Sequence, residues 1–236
     1  MYFLSETCLI RLYKKTGRMA TIMKIAVITC VNNEEEYAQA LSYIDRLHVP
    51  DGYELDVIAV REAPSMAAGY QMAMEHTDAR YKIYMHQDVM ITEKKFLKKI
   101  LSLFKNREIG MIGLVGSPVF PENGVMWYGD RIGSLYTQGS EGYGTYIFGQ
   151  VAAPCEYVEA VDGFLMITQY DVPWRADIFK KWDFYDVSQC FEFSKRGYKI
   201  AVPAMLNPWC IHDCGASDYH DYFGEREKFL QEYRNS

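Results

Sequence analysis

The stretch Tyr81-Lys-Ile-Tyr-Met-His86-Gln87-Asp88-Val-Met-Ile91 interrupts an apolar, strand-forming run with three polar residues and then resumes it. A run of this kind reads as a buried strand with a polar tip. In an extended chain, residues i and i+2 project to the same side, so His86 and Asp88 are expected to aim at one point. One imidazole and one carboxylate converging at a strand end suit a divalent cation and the phosphates it neutralises. The plainer reading of the same residues is a solvated strand end running into a helix cap.

Working outward from this stretch, Lys24-Ile-Ala-Val-Ile-Thr-Cys30 is a continuous apolar, β-branched run, as expected for a strand buried on both faces. Asn32, Asn33 and three glutamates follow, a capping residue and an acidic first turn. Tyr37, Ala40, Leu41, Ile44 and Leu47 then mark one helical face. A turn at Pro50-Asp51-Gly52 leads to a second strand over 54–60, and residues 66–76 read as a second helix. Thr92 is expected to cap a third helix whose stripe is Phe96, Leu97, Ile100, Leu101 and Phe104. A fourth strand is expected over 109–115.

This alternation predicts an α/β fold: a Rossmann-like, mostly parallel central sheet with right-handed crossovers, flanked by helices. Ligands of such sheets bind beyond the carboxyl ends of the strands, where residues 86–88 and 30–33 fall.

The rhythm breaks after Gly116. Residues 117–154 are rich in Gly, Tyr and Pro without a helical period, which marks a functional or mobile loop region. Regular structure is expected again over 156–168, then a helix over 184–196 stopped by Gly197, a strand over 199–202 and a terminal helix over 219–233. Residues 23–236 are read as one domain with halves 23–116 and 117–236. Residues 1–22 are read as a disordered leader or an over-extended start, with Met19 and Met23 as alternative starts.

The 236 residues are 49% hydrophobic, enough for a sizeable core, and carry a net charge of −6, which argues against a broad nucleic-acid footprint. No apolar run approaches the roughly 20 residues that span a bilayer. Near the N-terminus the basic residues follow the apolar segment instead of preceding it, unlike a secretory signal. The expected location is cytoplasmic, with peripheral attachment at the inner membrane face as the alternative. The six cysteines are scattered, so no disulfide framework is expected. Cys210-Ile-His212-Asp-Cys214 looks like half a zinc site, but structural zinc needs a second ligand pair that the chain lacks.

The order of features resembles the family 2 type of glycosyltransferases with the GT-A fold, in the subgroup that writes the usual Asp-X-Asp as His-Gln-Asp. The resemblance rests on the first strand with Asn-Asn-Glu, on Ser65-Met-Ala-Ala-Gly-Tyr-Gln-Met-Ala, on His86-Gln-Asp-Val, and on Val161-Asp-Gly-Phe-Leu-Met. It continues through Phe184-Tyr-Asp-Val, Lys195-Arg-Gly-Tyr-Lys and the late Ile211-His212. It covers about residues 24–233.

The resemblance implies an inverting transfer of a sugar from a nucleotide-diphosphate donor, most simply a UDP-sugar, to a glycan or glycoconjugate acceptor, as in polysaccharide biosynthesis. It implies Mn²⁺ or Mg²⁺ held by Asp88 and His86, with His212 completing the site. Asp186 is the implied base and Asp162 the runner-up. The usual Glu before the base is Tyr185 here, and Arg61-Glu62-Ala-Pro stands where many members carry Asp-Asp-X-Ser. Gln71 stands where an Asn is usual. Nucleotide contacts are expected from Thr29, Asn32, Asn33, Glu62, His86 and Gln87. Trp127, Tyr128, Tyr143, Tyr146 and Trp174 are candidates to stack on sugar rings or to pack in the core.

One other class fits the same residues, and a second is disfavoured by them. A non-catalytic sugar-nucleotide or glycan-binding protein would explain the departures at positions 61, 62, 86 and 185. A nucleotidyltransferase would want a basic, Gly-rich loop after the first strand, where this chain has Asn-Asn-Glu-Glu-Glu.

Overall fold

In the computed structural model, residues 11–15, 22–139, 142–213 and 220–234 are described. The first half runs β1 (Arg11–Lys15), β2 (Met23–Val31), α1 (Glu34–Ile44), β3 (Tyr53–Arg61), α2 (Met66–Glu75), β4 (Tyr81–Met85), β5 (Val89–Ile91), α3 (Phe96–Leu103), β6 (Ile109–Gly113) and β7 (Val115–Ser117). A 3₁₀ turn at Met126–Tyr128 follows, then β8 (Ile132–Gly139), β9 (Gly142–Ile147), β10 (Cys155–Val158), β11 (Ala160–Val161), β12 (Leu165–Thr168), α4 (Tyr185–Lys195), β13 (Lys199–Pro203), β14 (Cys210–His212) and α5 (Tyr222–Tyr233).

The main sheet has the order β1-β3-β2-β4-β12-β6-β13-β10. β3, β2 and β4 are parallel, as the βαβ rhythm requires. The sheet is nevertheless mixed: β12 enters antiparallel between β4 and β6, and β1 and β10 run antiparallel along the two edges. The apolar run of β12 reads the same in either direction; in the fold it continues the direction of β11, the two lying antiparallel to β6 and β7 respectively. The edge strand β1 lies inside the segment read from sequence as a leader, so residues 11–15 pair with β3.

Hydrophobic clusters cover both faces of the main sheet. Along β2, Ala26, Ile28 and Cys30 pack on the side of α2 and α4, and Ile25 and Val27 on the side of α1 and α3. This two-sided burial is what the unbroken apolar run implied. Asn33 caps α1 as expected, accepting from the amides of Glu35 and Glu36. Ser65 caps α2. Thr92 does not cap α3: its own amide bonds the Trp209 carbonyl at 2.8 Å, and the helix starts at Phe96. Gly197, at φ +80°, ends α4 in the left-handed position a side chain would resist.

The region that lacked a helical period supplies β8 and its hairpin partner β9 to a second sheet, β11-β7-β8-β14-β5. Here β14 lies antiparallel to β5 with His212 opposite Val89. That pairing carries the late histidine back to the tip of β4. Among the described residues no helix is long and apolar enough to cross a membrane.

Candidate active site

The polar tip of β4 is a turn, not a continuation of the strand: the Val89 amide reaches back to the His86 carbonyl at 3.4 Å. The turn, rather than strand alternation, brings His86 and Asp88 to one side. His86 Nδ1 lies 3.9 Å and His212 Nε2 3.5 Å from Asp88 Oδ1. The Asp213 amide bonds the Asp88 carbonyl at 3.0 Å, which locks β14 to the turn. The ligand atoms of His86, Asp88 and His212 all fall within 4.8 Å of one another.

Asp88 Oδ1 is buried without a hydrogen-bond partner. An orphaned carboxylate oxygen costs free energy in a protein interior. Separations of about 3–4 Å between ligand atoms suit a cation with bond lengths of about 2.1 Å, so the donor set fits a divalent ion. Electrostatics agree: burial opposes ionisation of Asp88, but the two imidazoles outweigh it and hold the carboxyl below its ordinary range.

Gln87 faces the other way. Its Oε1 accepts from the amides of Asn32 and Asn33 at 2.8 and 3.0 Å, and its Nε2 donates to Asn32 Oδ1 and Glu36 Oε2 at 2.6 and 3.0 Å. It clamps the end of β2 and the start of α1 to the β4 turn. Asn33 is occupied in capping α1.

Two adjoining lobes open at the cluster. The first is lined by Cys30, Val31, Asn32, Val60, Glu62, Ala63 and Met66 with the 86–88 turn, at the carboxyl ends of β2, β3 and β4. The second is lined by Met126, Trp127, Asp162, Tyr185, Asp186 and His212. His86 and Trp182 border both.

Asp186 sits in the first turn of α4, and Gly163 donates its amide to Asp186 Oδ2 at 3.0 Å. Burial, and then the charge of Asp162, push its carboxyl up to about 7. Asp162 lines the same lobe, and its Oδ1 accepts from the Phe164 amide at 3.3 Å. Tyr185 points inward and its hydroxyl lies 2.5 Å from His86 Nε2.

Some expected residues lie elsewhere. Thr29 is wholly buried within β2 and lines neither lobe, because the strand is covered on both faces until Cys30. Trp174 is core, packed on Tyr70 and Tyr84 with ring centroids 5.0 and 4.9 Å away. Gln71 holds the Trp174 amide at 2.8 Å. Arg61 pairs with Glu34 at 2.6 Å. Tyr128, Tyr143 and Tyr146 are exposed outside both lobes. Cys214 lies outside the described residues.

Nothing in the sequence marked Trp182, or the positive φ of Glu62 (54°) and Phe184 (59°), each in the lining of one lobe. Such conformations cost about 1–3 kcal/mol and gather at functional sites.

A profile of the glycosyltransferase-like family matches residues 26–233. The sequence matches none of the curated proteins. Among solved structures, the fold is similar to the mannosyltransferase PcManGT from Pyrobaculum calidifontis, in complex with GDP-Man and Mn²⁺. The TM-score is 0.58 at 13% identity, over 90% of this chain and 64% of that one. S. aureus TarS is also similar: residues 1–349 in complex with UDP give 0.56 at 12% identity, over 91% and 66%. The same fragment with UDP-GlcNAc gives 0.53 at 11%, over 83% and 59%. Another TarS structure is matched over 38% of its chain, so this chain spans from about two thirds to well under half of these relatives. With that profile spanning both sheets and the GT-A architecture shared with these enzymes, the chain belongs to the glycosyltransferase-like family.

Proposed function

We propose that this chain is a metal-dependent, inverting glycosyltransferase. It moves a sugar from a nucleotide-diphosphate donor, a UDP-sugar, onto a glycan or glycoconjugate in polysaccharide biosynthesis, in the cytoplasm or at the inner membrane face. The observation that carries the proposal is the orphaned Asp88 oxygen flanked by two imidazoles where the lobes meet. The nucleotide-sugar ligands of PcManGT and TarS support the donor class.

His86, Asp88 and His212 would hold Mn²⁺ or Mg²⁺, and nitrogen ligands favour Mn²⁺. When bound, the ion supplies Lewis-acid stabilisation of the charge that gathers on a departing diphosphate. The first lobe takes the nucleotide at the strand ends, with Asn32 and Glu62 in its lining. The second lobe takes the acceptor. Asp186 removes the acceptor hydroxyl proton, its Oδ2 fixed by the Gly163 amide. A carboxyl poised at about 7 is well matched to that task near neutral pH.

The test is nucleotide release from a panel of UDP-sugars with and without Mn²⁺, for the wild type and Asp88→Asn. The wild type should turn over only with the metal, and the variant should lose turnover while keeping its melting temperature. Wild-type turnover by Asp88→Asn, or by the wild type in excess chelator, would overturn the metal role. Donor binding without turnover by the wild type would mark a non-catalytic binding protein instead.

A further inference from the structure

The two departures at positions 86 and 185 touch each other. The Tyr185 hydroxyl and His86 Nε2 are 2.5 Å apart, while the other ring nitrogen, Nδ1, faces Asp88 at 3.9 Å. An imidazole that binds a cation through Nδ1 must carry its proton on Nε2, and that N–H then needs an acceptor. Asp88 Oδ1 lies too far from Nδ1 for a hydrogen bond, so the geometry does not hold the opposite tautomer.

We infer that Tyr185 is a positioning residue for the cation site, its hydroxyl accepting from His86 Nε2–H so that the Nδ1 lone pair is presented beside Asp88 and His212. The inference rests on the metal site proposed above and deepens it. A hydrogen bond to the far nitrogen of a ligating histidine fixes tautomer and ring orientation.

The surroundings over-determine the phenol. Tyr185 is buried, with its ring 5.8 Å from that of Tyr70 and 6.2 Å from that of Trp174. Opposite its hydroxyl is Gly163, where a Cβ would overlap the oxygen. The hydroxyl therefore has one place to be, and that place is at His86.

The experiment is a Mn²⁺ titration followed by the electron-spin signal of the free ion, with and without UDP. It compares wild type, Asp88→Asn, Tyr185→Phe, His86→Ala and the His86→Ala/Tyr185→Phe double variant. Phenylalanine keeps the ring and its packing, so the melting temperature of Tyr185→Phe should stay near wild type. Its Mn²⁺ affinity should fall by about 10- to 100-fold, and the change should add nothing in the His86→Ala background. Nitrogen NMR of metal-free wild type, which needs no variant, should show His86 protonated at Nε2.

Wild-type affinity in Tyr185→Phe beside lost binding in Asp88→Asn would overturn the positioning role and leave the metal site standing. So would an equal loss with and without His86, or a His86 protonated at Nδ1. Absence of Mn²⁺ binding by the wild type, with or without UDP, would remove the cation site and this role with it.

Discussion

Gly163 and Asp186 meet across the second lobe: the glycine amide donates to Asp186 Oδ2 at 3.0 Å, and a Cβ at 163 would lie 2.8 Å from Asp186 Cβ and overlap the Tyr185 hydroxyl. Glycine here serves close approach, not backbone freedom. Gly163→Ala should displace the start of α4 from the β11–β12 connection. Overpacking of this kind costs about 1–3 kcal/mol. A shift of about 1 Å in a catalytic group can cost on the order of 100-fold in rate. Chemical denaturation and sugar-transfer rates should therefore both fall, the rate far more. A rate within twofold of wild type would show that the contact does not position Asp186.

The carboxyl of Asp186 should couple activity and stability with opposite signs. Its folded-state value of about 7 is above the ordinary carboxyl range near 4. Between about pH 4 and 7 the folded protein keeps a proton that the unfolded chain has released, so this group makes stability fall as pH rises through that window. The carboxylate able to act as base rises over the same window. Transfer at saturating metal should climb with pH and level off above about 7. Asp186→Asn should lose transfer, bind donor normally, and melt higher than wild type at pH 8 but not at pH 4. A variant that melts alike at both pH values relative to wild type would show that Asp186 is not the group being titrated.

Gln87 has a different job from its neighbours. Its four hydrogen bonds tie Asn32, Asn33 and Glu36 to the β4 turn. Removing them in Gln87→Ala should cost about 1–2 kcal/mol, the low end for several partly solvated bonds. The first lobe should loosen, raising KM for the donor several-fold with little change in kcat. Urea titration and donor kinetics check both parts. An unchanged donor KM would confine Gln87 to stability.

How much of this was legible follows from what each residue's signal depends on. The polar interruption at 86–88 was visible because it breaks an apolar run, and the cap at Asn33 because its chemistry is local. The direction of β12 was not visible, since a strand buried on both faces carries no sign of its neighbours' sense. Thr29 and Cys30 are adjacent in sequence, yet one is sealed in the sheet and the other lines a lobe. The contact between Tyr185 and His86 joins residues 99 apart, and only the folded chain shows that two odd substitutions are neighbours. The same holds for tryptophan: composition does not separate Trp174, packed among tyrosines, from Trp182 at the mouth of the site.

Trp182 borders both lobes and is 45% exposed, between the segment hydrogen-bonded to α2 through the Lys181 carbonyl and the left-handed Phe184 that opens α4. An indole in that position can cover the donor sugar on one side and the acceptor on the other, and aromatic contacts of this kind contribute about 0.5–1.5 kcal/mol beyond area burial. Trp182→Ala should raise KM for donor and acceptor together, each by about 3- to 10-fold by that energy. Trp182→Phe should recover part of the loss. Because the ring is half in solvent, the melting temperature should move little. If only one KM changes, the ring belongs to one lobe. If neither changes and the melting temperature falls, Trp182 is packing, and among the described residues only His86 is left to border both lobes.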